Sequence, residues 1–192
     1  MEDKKTGPRI YKNLPLANAV VIDSVKYKSK PDGWVMETAD FTELSYFLGY
    51  KFEPRSMYAI WSPEGVIRGG HLESRSKLVT VLRGTIYYAM IDMRPGPDMG
   101  KKYEFYLGDG EKSMGRSVLN PEGLIDCFIP VDGDAMTHQV GDRPYNKFDN
   151  MRTLDIMDPE LGLSIPQGSK FRANEEGETA PVSFKEFVES IK

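Results

Sequence analysis

From Asn18 onward the chain is written in short runs whose apolar residues alternate with polar ones, punctuated by Gly, Pro, Asn and Asp. The runs are Asn18–Val25, Trp34–Thr38, Ser56–Ser62, Val66–His71, Lys77–Arg83, Thr85–Arg94, Lys101–Leu107, Ser117–Leu119, Ile125–Ile129 and Ala135–Val140. Alternation with period two sends successive side chains to opposite faces of a strand. Many short strands separated by turn residues predict an all-β sandwich or barrel. Two segments break the pattern. Phe41–Leu48 has helical spacing and Gly49 as its stop. Ser183 with Glu186 forms a capping box ahead of Phe184, Phe187, Val188 and Ile191, which share one helical face, so a terminal helix over 183–192 is predicted to pack on the outside. The polar stretch Gln167–Pro181 reads as a surface connection.

No repeat, low-complexity tract or linker divides the 192 residues, so a single domain over 1–192 is expected, with its core at about 14–168. A net charge of −4 without a basic block argues against nucleic acid and against an anionic membrane surface. A phosphorylated small molecule stays open through one or two local arginines. No apolar run approaches the ~20 residues that span a bilayer, and Met1-Glu2-Asp3-Lys4-Lys5 lacks a signal-peptide core. A cytoplasmic protein is therefore expected. The single cysteine, Cys127, has no partner for an internal disulfide and reads as packing.

Of the two histidines, His71 stands in Arg68-Gly69-Gly70-His71 at the end of one strand, and His138 lies within another. An imidazole titrates near neutrality, which makes His71 a candidate general base. The other reading is a hydrogen-bonded histidine of the core. The two-faced strand that begins at Lys77 brings a lysine towards the same pocket.

Gly65-Val66-Ile67-Arg68-Gly69-Gly70-His71, Lys77-Leu78-Val79 leading to Leu82-Arg83-Gly84, and Ile91-Asp92-Met93-Arg94-Pro95-Gly96 together resemble the dTDP-4-dehydrorhamnose 3,5-epimerase family of cupins. Asn120-Pro121-Glu122-Gly123 is similar to that family's Ile-Pro-x-Gly segment, and Asp158-Pro159-Glu160-Leu161-Gly162-Leu163-Ser164-Ile165-Pro166 to its Asp-Pro-x-Leu-Gly-Ile-x-Trp-Pro run. Val20-Val21-Ile22-Asp23 and Gly33-Trp34-Val35-Met36-Glu37-Thr38 look like its first strands, so residues 14–168 are covered in order. The resemblance implies a cupin jelly-roll barrel and a homodimer. It also implies an isomerase that works without metal or cofactor on a nucleotide-linked 4-keto-6-deoxy sugar. Its residues carry over as His71 for the base, Asp158 for the carboxylate that orients it, Lys77 near the keto oxygen and Arg68 towards substrate or diphosphate. Glu37, Tyr58, Trp61, Asp126, Gln139 and Tyr145 fall among substrate-binding positions. Asp158 as a turn cap and Arg68 as a surface charge are the structural alternatives.

The departures are as informative. Asp126 stands where the family carries a second histidine. Ungapped reading sets Gln139 at the place of the tyrosine acid, with Tyr145 on the base-stacking tyrosine, while a slip of one residue substitutes His138. Asp32 precedes Gly33 in place of an arginine. Ser56-Met57-Tyr58-Ala59-Ile60 replaces Gln-x-Asn-x-Ser, so Tyr58 and Trp61 are expected to make that wall aromatic. The loop from His71 to Lys77 is short. These changes admit a single-site epimerase, a related enolate isomerisation, or a barrel that binds nucleotide sugar without turning it over. A metal-dependent cupin using His71, Glu73 and Asp126 ranks behind them, because Lys77 brings a positive charge to the ion's place.

Overall fold

The computed structural model describes residues 10–16, 18–23, 26–30, 33–72, 74–144, 153–171 and 180–191. The strands are β1 (Ile10–Asn13), β2 (Val20–Asp23), β3 (Lys26–Lys30), β4 (Gly33–Met36), β5 (Ser56–Ser62), β6 (Val66–Leu72), β7 (Lys77–Asp92), β8 (Lys102–Gly108), β9 (Ser117–Asn120), β10 (Leu124–Gly141) and β11 (Lys170–Phe171); the helices are α1 (Phe41–Leu48) and α2 (Phe184–Ser190). Among the described residues, nine strands form one sheet in the order β1-β2-β9-β7-β10-β6-β11, with β5 added to β10 and β8 to β7, while β3 and β4 form a separate ribbon.

The main departure from the sequence expectation lies in two long strands. The runs expected at Lys77–Arg83 and Thr85–Arg94 join into one strand, β7, which ends at Asp92, because Gly84 with φ 83° bends the chain without ending it. Likewise Ile125–Ile129 and Ala135–Val140 are one strand, β10, bent where Asp132 and Gly133 take φ 59° and 109°. Each long strand therefore runs through both halves of a folded sheet. The first half of β7 pairs with β9 and the second with β8; the first half of β10 pairs with β6 and the second with β5. The sheet closes on an interior filled by Val21, Val79, Val81 and Val118 from one half and Ile86, Tyr88, Met90 and Phe128 from the other.

Outside the barrel, α1 packs Leu44 and Leu48 on Leu78, Leu119 and Val140. Asp40 starts it by accepting from the N–H groups of Thr42 and Glu43, and Gly49 ends it in the left-handed region at φ 75°. At the other half α2 buries Phe187 against Ile91, Ile125 and Leu154, begun by the expected Ser183–Glu186 capping box. Of the strand expected over Asn18–Val25, β2 takes Val20–Asp23, and Ser24 and Val25 lie outside the described residues. Asn18, at φ 65°, sits in the turn before it, and β2 finds both its neighbours within the chain, β1 and β9.

Candidate active site

His71, next to last in β6, faces Asp126 of β10 across the ladder. Directly opposed residues send their side chains to one face of a sheet, and here that face is the barrel interior. Two glycines permit the approach. Gly69 and Gly70 have φ of 106° and 82°; a Cβ on the first would stand 2.3 Å from the Asp126 carbonyl oxygen, and on the second 2.7 Å from that of Leu154. Any larger residue would push β6 off β10 on one side and off the 153–154 segment on the other. That segment bridges to His71 through Thr153, whose Oγ1 lies 2.9 Å from the imidazole Nδ1.

Asp126 is the centre of the interior. Its Oδ1 is 2.8 Å from Lys77 Nζ, with the two side chains only 5% and 6% exposed, and its Oδ2 accepts from the Tyr88 hydroxyl. The lysine comes from one half of the sheet and the other two from the opposite half, so the ion pair spans the barrel. Burial removes water from both charges and leaves each dependent on the other. Asn120 is the β9 partner of Lys77 and shares the inward parity of Val118; its Oδ1 is buried without a protein partner.

The facing wall is built on β5. Tyr58 pairs with Gln139 of β10 and donates its phenol hydrogen to Gln139 Oε1 at 2.8 Å. Arg75, 5% exposed, donates to the same phenol oxygen at 2.8 Å and to Ser56 Oγ at 3.1 Å, with its guanidinium 5.6 Å from the Tyr58 ring centre. Arg68 reaches from β6 to Ser62 Oγ at 3.0 Å, tying the two strands together at the inner end of this wall. The turn that delivers Lys77 is pinned at the rim: Tyr50 hydrogen-bonds Ser76 Oγ and Asp142, each at 2.6 Å, and Asp142 also accepts from the Ser76 N–H. Burial and the neighbouring Asp142 carboxylate push the Tyr50 phenol up to about 12.

Several expected placements are corrected. Asp158 does not serve as the partner of His71 Nδ1; its Oδ1 accepts from Glu160 N–H at 2.9 Å and its Oδ2 from Phe184 N–H at 2.7 Å, capping a 3₁₀ turn and the start of α2. The cap reading of the Asp-Pro turn describes this residue, and Thr153 takes the place beside the imidazole. Trp61 is not on the wall with Tyr58. Three residues apart on a strand means opposite faces, and Trp61 is 58% exposed with its indole N–H on Asp134 at 2.7 Å. His138 shares the outward parity of Met136, which is 40% exposed, and of Val140, which packs under α1; Gln139, 4% exposed, is the inward residue. Glu37 is exposed and follows β4 of the separate ribbon. Tyr145 and Glu73 lie outside the described residues. Cys127 packs outside the barrel with Ile67 and Tyr87, and burial pushes its thiol well above the ordinary range. Thr153, Tyr88, Arg75 and Asn120 were not singled out by the sequence. Parity along β7 would have found Tyr88 once Gly84 was read as a bend.

The fold and the interior residues together define a cupin-like jelly-roll barrel with a histidine, a lysine–carboxylate pair and phenols inside one end, a set suited to moving protons on a small polar ligand. The family model described as dTDP-4-dehydrorhamnose 3,5-epimerase matches residues 13–183, and the chain belongs to that family. It is 28% identical over 74% of its length to dTDP-4-dehydrorhamnose 3,5-epimerase of Mycolicibacterium smegmatis, covering 69% of that protein. Its fold resembles the rmlC epimerase of Mycobacterium tuberculosis, with TM-score 0.80 and 22% identity over 94% of this chain and 91% of that one. It also resembles a variant of ChmJ, a 3'-monoepimerase from Streptomyces bikiniensis, solved in complex with dTDP, with TM-score 0.78 and 21% identity over 93% and 89%.

Proposed function

We propose that the protein epimerises a nucleotide-linked 4-keto-6-deoxy sugar by removing a proton from a carbon next to the ketone. The observation that carries this reading is the inward cluster of His71, Asp126, Lys77 and Tyr88 at one end of the barrel. A hydrogen beside a carbonyl becomes removable when a base stands over it and a positive charge meets the enolate oxygen. In the tautomer whose Nδ1–H donates to Thr153 Oγ1, the lone pair of His71 is on Nε2, which takes the proton. Lys77 supplies the charge, held in place by Asp126 before substrate arrives, so little reorganisation is needed at the moment of reaction. Arg68 and Arg75 offer guanidinium groups to the polar sugar and its diphosphate. No described helix is long and apolar enough to cross a membrane, and the reading carries a cytoplasmic location with it.

The test is ¹H NMR of a dTDP-linked 4-keto-6-deoxyhexose in deuterated water. Wild-type protein should wash deuterium into a carbon flanking the ketone, and His71→Asn should slow this by ~10²–10⁴-fold. Undiminished exchange in that variant overturns the assignment. A single inverted carbon is the second reading, favoured by Gln139 on the wall, because an amide N–H is too weak an acid to protonate an enolate and a second inversion then has no donor at that position.

We also infer a homodimer. The outer face of β5 and β10 shows Met57, Trp61 and Met136 at 66%, 58% and 40% exposure, and the outer edge of β5 offers backbone groups to a second copy. Sedimentation at micromolar concentration should give twice the chain mass of 21.7 kDa; a monomer there would count against it.

A further inference from the structure

We propose that Tyr58 is the group that reprotonates the enolate, from the wall opposite His71, at the place where Gln139 stands. The inference rests on the epimerase reading above and adds the one part it lacks. Inverting a carbon through an enolate needs two proton carriers on opposite faces of one planar intermediate. His71 lies on β6, in the half of the sheet that contains the first part of β10. Tyr58 lies on β5, in the half that contains the second part. The bend in β10 folds these halves over each other, so the two side chains come from facing walls. Tyr58 shares the inward parity of Ile60, which packs on the barrel interior.

Depth along the barrel agrees. Gln139 pairs with Val79 and Gly141 with Lys77, which sets Tyr58 one inward-facing step from the level of Lys77. Two residues along a strand are about 7 Å, a span that one hexose ring bridges. Gln139 is hydrogen-bonded to the phenol and so holds it on the wall; glutamine acts here as a clamp while its neighbour carries the proton.

The step balances without a co-reactant. His71 takes the proton from carbon and becomes imidazolium as the electron pair moves to the ketone oxygen. Tyr58 then forms the new C–H bond on the other face, breaks its O–H bond and becomes phenolate as the carbonyl re-forms. Exchange with water returns a proton to the phenolate and removes one from the imidazolium. Arg75, 2.8 Å from the phenol oxygen and buried, faces the negative charge that appears there. The hydroxyl hydrogen turns about its C–O bond, so leaving Gln139 for the sugar requires no movement of the ring.

Tyr58→Phe keeps the ring and its stacking under Arg75. In deuterated water, with a dTDP-linked 4-keto-6-deoxyhexose, formation of inverted sugar should fall ~10²–10⁴-fold in this variant. Deuterium wash-in without inversion should fall by less than about tenfold, because His71 still removes and returns a proton on its own face. Site-specific 3-fluorotyrosine at position 58 is the second variant. It keeps shape and hydroxyl and makes the phenol a stronger acid, so the pH profile of inversion should move to lower pH while that of wash-in stays. Inversion at the wild-type rate in Tyr58→Phe, or equal losses of inversion and wash-in, overturns the proposal, as does an inversion profile that 3-fluorotyrosine leaves in place. Wild-type protein that exchanges no carbon-bound proton overturns the epimerase reading and this one together. Exchange that depends on His71 but inversion indifferent to Tyr58 overturns this one alone.

Discussion

The ion pair inside the barrel is the sharpest physical commitment of this structure. At 2.8 Å, two unit charges attract by about 6 kcal/mol when the effective dielectric constant is near 20. That attraction offsets the cost of taking both groups out of water, and the offset fails as soon as one partner is changed. Asp126→Asn keeps the shape but leaves one oxygen for two donors, Lys77 and Tyr88, and turns an amide N–H₂ towards one of them. The loss should be about 3–5 kcal/mol, which for a chain of this size is a fall in Tm of roughly 6–20 °C. Lys77→Met should cost a similar amount through the stranded carboxylate. The double variant Lys77→Met/Asp126→Leu should recover most of it, because a packed apolar pair is often as stable as a buried ionic one. Urea denaturation of wild type, Lys77→Met, Asp126→Leu and Lys77→Met/Asp126→Leu closes the cycle, and a coupling energy of at least about 2 kcal/mol is expected. Single variants costing under about 1 kcal/mol with no coupling, as for exposed pairs, would refute the reasoning.

Thr153→Val removes the hydroxyl beside Nδ1 and frees the ring to choose its tautomer; kcat should fall about tenfold with KM little changed, and steady-state kinetics checks the split. Gly69→Ala puts a methyl 2.3 Å from the Asp126 carbonyl oxygen in a backbone region that alanine resists; a loss above about 2 kcal/mol is expected in denaturant titrations. The Glu186 carboxyl is held below its ordinary value by the Ser183 hydroxyl and N–H. The unfolded chain therefore binds the extra proton, so this capping box contributes stability above pH 4.5 and loses it as pH falls through the depressed value. The gap in urea midpoint between wild type and Glu186→Ala should accordingly close below that pH.

Local signals were legible where a single element decides its own structure. Phe41–Leu48 keeps its predicted ends because Asp40 and Gly49 cap it from neighbouring positions. The capping box of α2 lies within four residues. Gly84 shows the limit: a glycine reads as a strand's end, yet the ladder to β10 resumes beyond it, with a register shift between Val131 and Met136, and the chain uses φ 83° as a bend. Motif resemblance located His71, Lys77 and Asp126, but no spacing could tell that the last two meet, since their contact exists only once the sheet closes. The same limit explains Asp158. Its run matches the family in sequence, while the backbone N–H groups of Glu160 and Phe184 take both its oxygens, and Thr153, which no sequence signal marked, reaches the imidazole.

The geometry of the pocket follows from one strand. β10 carries the partner of His71 at Asp126 and the partner of Tyr58 at Gln139, with the left-handed residues Asp132 and Gly133 between them. The separation of the two walls is thus set by a bend in continuous backbone, fixed on its other side by the parallel bend of β7 at Gly84. Gly84 cannot be relieved easily, because a Cβ there would lie 2.5 Å from the Asp134 carbonyl oxygen on β10. The two bends lock each other, and the His71 imidazole on one half and the Tyr58 phenol on the other are held at a distance that loop motion does not change. Proton transfers to opposite faces of one carbon need that constancy, since a carrier displaced by about 1 Å forfeits much of its advantage.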